Sequence, residues 1–139
     1  MSEKSKISAL RRFLGKQKFV RFAYVFGSHA RRDTGPLSDI DIAVYLDEKL
    51  NKNKSHEKEL FLINEISGIL GTDKFDIVIL NNSRLLLNFN IIRDGVVLKS
   101  NVERIRFEKN VMGEYMDREY HERIHADIGL KRISRRGLA

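Results

Sequence analysis

Residues 39–46 read D-I-D-I-A-V-Y-L, and this clean alternation predicts a β-strand that begins with two carboxylates. Asp39 and Asp41 are two positions apart, so both side chains point from the same face of the strand. Adjacent carboxylates repel each other, and burying them unpaired is costly. A divalent cation between them is the common resolution. An oxygen-only ligand set of this kind suits Mg²⁺ or Mn²⁺.

Hydrophobic periodicity divides the rest of the chain into alternating helices and strands. It predicts a helix over 5–17, strands over 20–26 and 39–46, a helix from Ser55 or His56 to Gly71, a strand over 75–80, a helix from Ser83 to Asp94, a short strand over 96–98 and a long helix over 102–128. This order favours an α/β (α+β) fold in which a small mixed β-sheet has flanking helices, followed by a C-terminal helix.

Two of these helices carry apolar stripes at helical spacing. The stripe of the second helix consists of Leu60, Leu62, Ile63, Ile66 and Ile69 or Leu70. The stripe of the last helix consists of Ile105, Met112, Met116, Tyr120, Ile124 and Ile128. We expect the last stripe to pack within the fold. Because of its methionines and its basic end, it is also a candidate docking surface for a protein partner.

Length and composition restrict the class of protein. A chain of 139 residues predicts a single domain, with a core over 19–100 and a C-terminal helix and basic tail over 101–139. The apolar runs are too short for a membrane helix, and no leader sequence is evident. The absence of cysteine fits a reducing cytoplasm. The net charge of +7 is concentrated at the two ends of the chain, which makes nucleic acid an unlikely main ligand.

Two further features surround the paired carboxylates. Gly27 and Ser28 end the strand over 20–26, where backbone N–H groups and a hydroxyl can approach phosphate oxygens closely. Arg31 and Arg32 follow within one turn and can neutralise a triphosphate. Asp76 begins another strand, and it supplies a third carboxylate if that strand lies beside the one over 39–46. Three carboxylates around one or two Mg²⁺ ions are typical of phosphoryl transfer.

The joint spacing is more specific than any of its parts. Gly27-Ser28, ten residues, then Asp39-x-Asp41 and a later acidic strand resemble the signature of the DNA polymerase β-like nucleotidyltransferase superfamily. Within it, G-S-H-A-R-R and S-D-I-D-I-A-V are most similar to the minimal nucleotidyltransferase (MNT) domains. The resemblance covers about residues 23–99, including the turn I-I-R-D-G-V-V-L-K. One departure is Arg32, which stands where the family usually has glycine.

This resemblance implies a polymerase β-like fold and a defined activity. MNT domains commonly act as antitoxins of HEPN-type RNase toxins, and the active ones transfer AMP from ATP to a toxin tyrosine. By match, Asp39, Asp41 and Asp76 would be the catalytic metal ligands, with two Mg²⁺ ions expected and Asp76 also helping to deprotonate the acceptor. Gly27 and Ser28 would hold the triphosphate. The expected partners are a HEPN-type toxin, in a hetero-oligomer, and a nucleoside triphosphate.

Other functions stay open at this point. The same fold can neutralise a partner by occlusion without catalysis, or modify a small molecule or a nucleic-acid end. The motif H-E-R-I-H at His121–His125 matches the zinc-protease helix, but only Asp127 follows as a possible third ligand and it lies too close along the helix. We therefore expect no zinc site there.

Overall fold

The structure is a computed structural model that describes residues 3–27 and 40–135, with only the backbone of Glu3 and of residues 127–135. Its elements are α1 (Glu3–Lys16), β1 (Val20–Phe26), β2 (Ile40–Leu46), α2 (Lys52–Leu70), β3 (Phe75–Ile79), a single 3₁₀ turn (Leu80–Asn82), α3 (Leu85–Asp94), β4 (Val96–Lys99) and α4 (Val102–Arg135). The predicted α/β (α+β) order of helices and strands is confirmed.

The four strands form one mixed sheet in the order β3-β2-β1-β4. β1 runs antiparallel to both β2 and β4, whereas β2 and β3 are parallel. The parallel pair is joined by α2, as a crossover between parallel strands requires. β3 and β4 are the edge strands of this sheet, and β1 and β2 lie at its centre.

A hydrophobic layer covers each face of the sheet. On one face, α1 and α2 pack against alternate residues of the central strands, such as Val25, Ile42 and Val44. On the other face, α3 and the start of α4 cover the intervening residues, including Phe22, Tyr24 and Ala43. Phe22 and Tyr24 of β1 are therefore core residues. No helix in the described part of the chain is both long and apolar enough to cross a bilayer.

Helix α2 begins at Lys52, three residues before the earlier of its two predicted starts. Asn51 is its N-cap, and the Asn51 side chain accepts a hydrogen bond from the Lys54 backbone N–H at 2.8 Å. Residues 52–54, which precede both predicted starts, thus form the first turn of the helix. The buried stripe also differs, because it consists of Leu62, Ile66 and Leu70. Leu60 (53% exposed) and Ile63 (40% exposed) lie outside it.

Helix α4 contains two unlike parts. Its first turns pack on α3 and β1, where Val111 is buried and Tyr115 stacks on Phe89 with ring centroids 3.7 Å apart. The Tyr24 hydroxyl donates a hydrogen bond to the Glu108 carboxylate at 2.7 Å in the same region. The prediction that the stripe through Ile105 packs within the fold is wrong for Ile105, Met116 and Tyr120, each more than 60% exposed. The side chains of α4 are described over 102–126, and those of residues 116–126, which we call the second half of α4, are all exposed.

Candidate active site

Strands β2 and β3 bring two of the expected carboxylates together. In the parallel pairing of these strands, Asp41 is directly opposite Asp76. By strand alternation both side chains share a face with Ala43 and Val78, which pack on the α3 side of the sheet. Asp41 is half-buried, and Asp76 is exposed because β3 is an edge strand. β3 therefore lies beside β2, which is the arrangement that Asp76 needs in order to contribute a carboxylate to the predicted site.

Gly27 lies directly against this pair. Phe26 is opposite Asp41 in the antiparallel pairing of β1 and β2, so the next residue reaches the Asp41 side chain. Gly27 has φ of +76°, and a β-carbon at this position would overlap Asp41 Oδ2. Only glycine allows both this left-handed conformation and this close approach. We name Gly27, Asp41 and Asp76 together the carboxylate edge.

The remaining predicted site residues lie outside the described part of the chain. These residues are Ser28, Arg31, Arg32 and Asp39. Among the described residues no group of three His, Cys, Asp or Glu side chains is placed to hold a metal ion, including around His121 and His125. Asp41 and Asp76 nevertheless offer adjacent oxygen donors of the type that Mg²⁺ prefers. The donor chemistry therefore fits a magnesium site of which two of the three expected ligands are described.

A small cavity next to Gly27 contains residues that the sequence reasoning did not assign. It measures about 170 Å³ and is lined by Phe26, Gly27, Asn90, Arg93 and Asp94. The α3–β4 turn reaches this place because β4 begins opposite the end of β1, with Val96 paired to Val25. The sequence signal for these residues was the motif I-I-R-D-G-V-V-L-K. This motif is part of the resemblance to the family, but no function was assigned to its residues.

Arg93 is held in a defined orientation at this cavity. Its Nε donates to Asp94 Oδ1 at 3.1 Å and its Nη2 donates to Asp94 Oδ2 at 2.9 Å. The guanidinium carbon lies 5.6 Å from the centroid of the Phe89 ring, which itself stacks on Tyr115. The hydrogen bonds and the negative charge of Asp94 raise the pKa of Arg93, so this side chain stays cationic.

A second cavity, of about 320 Å³, lies beside β3 on the α2 face of the sheet, opposite to the face that carries the carboxylates. Its walls combine apolar and acidic residues, namely Ile63, Asp73, Phe75, Asp76 and Ile77. It opens at the β3 side of the sheet, where no further strand is paired in the described structure. The Asp76 carboxylate is exposed because β3 is an edge strand, and its side chain lies on the α3 face, away from this cavity.

The opposite end of β2 has a wider cavity, of about 500 Å³, that includes Tyr45, Glu103 and Phe107. Glu103 accepts a hydrogen bond from Arg21 Nε at 2.8 Å, which ties α4 to β1. The pKa of Tyr45 is raised to about 12, mainly by burial and to a smaller extent by a hydrogen bond to Glu48. The Arg21–Glu103 contact stabilises the packing of α4, and Asp41 lies at the other end of β2.

Comparisons with known proteins agree with this geometry. A model of the family described as polymerase beta, nucleotidyltransferase matches residues 8–104. No curated protein matches the chain. Among solved structures, a toxin–antitoxin crystal structure with AMP-PNP is 22% identical, with a TM-score of 0.65 over 93% of this chain and 99% of that chain. A structure described as a tri-AMPylated Shewanella oneidensis HEPN toxin in complex with MNT antitoxin is 20% identical, with a TM-score of 0.59 over 94% and 99%. At these identities the likeness shows the fold.

Proposed function

The chain belongs to the polymerase β nucleotidyltransferase family, and from this premise we propose that it transfers AMP from ATP to a tyrosine of a HEPN-type toxin. The observation that carries the proposal is the carboxylate edge. Asp41 is paired with Asp76 across β2 and β3, and the Asp41 carboxylate lies against Gly27. A protein that only bound its partner would have no use for converging acids beside a glycine turn.

In the proposed reaction, the acceptor hydroxyl oxygen forms a bond to the α-phosphorus of ATP. The bond from the α-phosphorus to the bridging oxygen breaks, and pyrophosphate leaves with that electron pair. Asp76 accepts the proton of the hydroxyl, and its exposure at the sheet edge allows an acceptor on another protein to reach it. Asp39, Asp41 and Asp76 would hold Mg²⁺, which when bound supplies positive charge that stabilises the transferring phosphate.

The exposure of Asp76 on the edge strand β3 supports an acceptor that belongs to another protein. Ile63, Phe75 and Ile77 line a cavity on the opposite, α2 face of β3, so they are not part of the acceptor site at the carboxylate. The similar structures are consistent with this acceptor, since one is described as containing an AMPylated toxin. The absence of cysteine supports placing this reaction in the cytoplasm.

The second half of α4 supports the partner component of the proposal. Met116 and Tyr120 are each 63% exposed and lie one helical turn apart, so they form an apolar strip that faces solvent. Helical proteins commonly dock through such strips. We propose that this strip contacts the toxin and keeps it beside the carboxylate edge. Neutralisation by occlusion, without AMP transfer, would use the same strip.

The test uses ATP labelled at its α-phosphate, with a HEPN-type toxin as the acceptor. Wild-type chain with Mg²⁺ should label the acceptor, and the double variant Asp39→Asn, Asp41→Asn should lower the rate by about 10³-fold or more. Chelation of Mg²⁺ should have the same effect. Circular dichroism checks that the variant is folded. A double variant that labels the acceptor at the wild-type rate would disprove the assignment of these carboxylates.

A further inference from the structure

The end of α3 lies on the same face of the sheet as the carboxylates, beside the turn at Gly27. Ile91 and Leu87 of α3 pack in the layer that also contains Ala43 and Tyr45. These two residues follow Asp41 at every second position of β2, so they lie on the same face of the sheet as Asp41. Gly95 fixes the exit of the helix, because a β-carbon there would overlap the Ile91 carbonyl oxygen. The position of the α3 end relative to β1 is therefore fixed by packing.

We propose that Arg93 binds the β- and γ-phosphates of the nucleotide, with Asp94 as its positioning residue. The proposal rests on the proposed function, because it assumes that a nucleoside triphosphate lies along the carboxylate edge. Arg93 shares its cavity with Gly27, the glycine at which the triphosphate is expected. It therefore supplies a cation next to a cluster of acids that would otherwise repel the phosphates.

The geometry of the guanidinium suits this role. Arginine has five N–H donors in a planar fork, and Asp94 occupies the edge formed by Nε and Nη2. Nη1 has no hydrogen-bond partner within the described residues, so the second edge of the fork can donate to phosphate oxygens. The contacts with Asp94 and Phe89 hold the side chain before the nucleotide binds, which reduces the entropy lost on binding.

Asp76 and Arg93 lie at opposite ends of the carboxylate edge, as in-line transfer requires. The acceptor and the leaving group lie on opposite sides of the transferring phosphorus. Asp76 is on the edge strand β3, whereas the cavity at Arg93 adjoins Gly27 at the end of β1. Because the acceptor is expected at Asp76, pyrophosphate leaves on the Arg93 side.

The experiment compares Arg93→Ala and Arg93→Lys with Arg84→Ala, a matched control. Arg84 is exposed at the other end of α3, and its side chain makes no capping hydrogen bond, so its removal changes only the net charge. Calorimetry with Mg²⁺ and ATP should show about 10- to 100-fold weaker binding for Arg93→Ala. Arg93→Lys should recover little of the lost ATP affinity. A lysine ammonium cannot donate hydrogen bonds to Asp94 and to a phosphate from two separate edges, as the planar guanidinium can. Asp94→Asn should weaken ATP binding by about threefold.

The affinities of the variants for AMP and for pyrophosphate show which phosphates of the nucleotide Arg93 contacts. Arg93→Ala should lose pyrophosphate binding and retain AMP binding, since AMP lacks the two outer phosphates. Equal effects of Arg93→Ala and Arg84→Ala on ATP binding would overturn the assignment of Arg93, as would an equal loss of AMP binding. If the wild-type chain binds no ATP with Mg²⁺, the proposed function fails together with the role of Arg93. Wild-type ATP binding without AMP transfer would contradict the proposed function alone.

Discussion

The carboxylate edge and the second half of α4 are built in opposite ways. Gly27 and Asp41 sit on central strands whose residues pack on both faces, so their positions follow from the register of the sheet. The described side chains of the second half of α4 are exposed, and its apolar residues Met116 and Tyr120 face solvent. The first region is positioned by the fold itself. The second has no partner in the described chain, which suits a surface that another protein covers.

The largest expected effect tests whether the close approach at Gly27 is needed for chemistry. Gly27→Ala should reduce AMP transfer by about 10²-fold, because the added methyl group displaces the Asp41 carboxylate. Gly71→Ala is the matched control. Gly71 also has positive φ, of +68°, but a β-carbon there would meet nothing within 4 Å.

The control variant should therefore lose about 1–2 kcal/mol of stability through backbone strain and keep its transfer rate. Rates are measured with labelled ATP, and stability by urea unfolding. If Gly71→Ala slows transfer as much as Gly27→Ala, strain rather than the contact with Asp41 explains the loss. Toxin binding should be unchanged in both variants.

The next effect concerns the surface of α4. The double variant Met116→Ala, Tyr120→Ala should weaken toxin binding by about 10- to 100-fold, because both side chains are exposed and apolar. Affinity for ATP with Mg²⁺ should stay at the wild-type value. Lys109→Ala, an exposed change on the first half of the helix, is the control. A loss of ATP binding in the folded double variant would show that this helix half belongs to the active site.

The smallest effect separates the two parts of α4 by stability. Val111→Ala removes buried methyl groups and should lower the free energy of unfolding by about 1–2 kcal/mol. Met116→Ala should change it by less than about 0.5 kcal/mol, because Met116 is 63% exposed. Urea unfolding of the free chain gives both values. A larger loss for Met116→Ala would mean that the second half of α4 packs within the chain.

The sequence was most informative where local pattern and chemistry coincide. The alternation over 39–46 predicted the strand and the spacing of its carboxylates, whereas the pairing that places Asp41 beside Asp76 was only the condition on which the third carboxylate depended. Hydrophobic periodicity predicted the helices but not which of their faces are buried. In α2 it did not distinguish the buried Leu62 from the exposed Leu60, since an apolar run fits more than one helical face.

Long-range placement was the other limit of the sequence. Arg93 lies more than sixty positions from Gly27, and only the antiparallel pairing of β4 with β1 brings the two together. A single arginine in an I-I-R-D-G turn gives no indication of that pairing. The roles of Asp39, Ser28, Arg31 and Arg32 stay predictions, because these residues lie outside the described part of the chain.

The most direct test is tandem mass spectrometry of the toxin after incubation with this chain, ATP and Mg²⁺. The account predicts a mass increase of one or more AMP groups on the toxin, with each AMP located on a tyrosine and toxin activity lost in parallel. The same incubation with the folded double variant Asp39→Asn, Asp41→Asn should leave the toxin unmodified and active. A toxin that is neutralised by the wild-type chain but carries no AMP would contradict the account and identify occlusion as the mechanism.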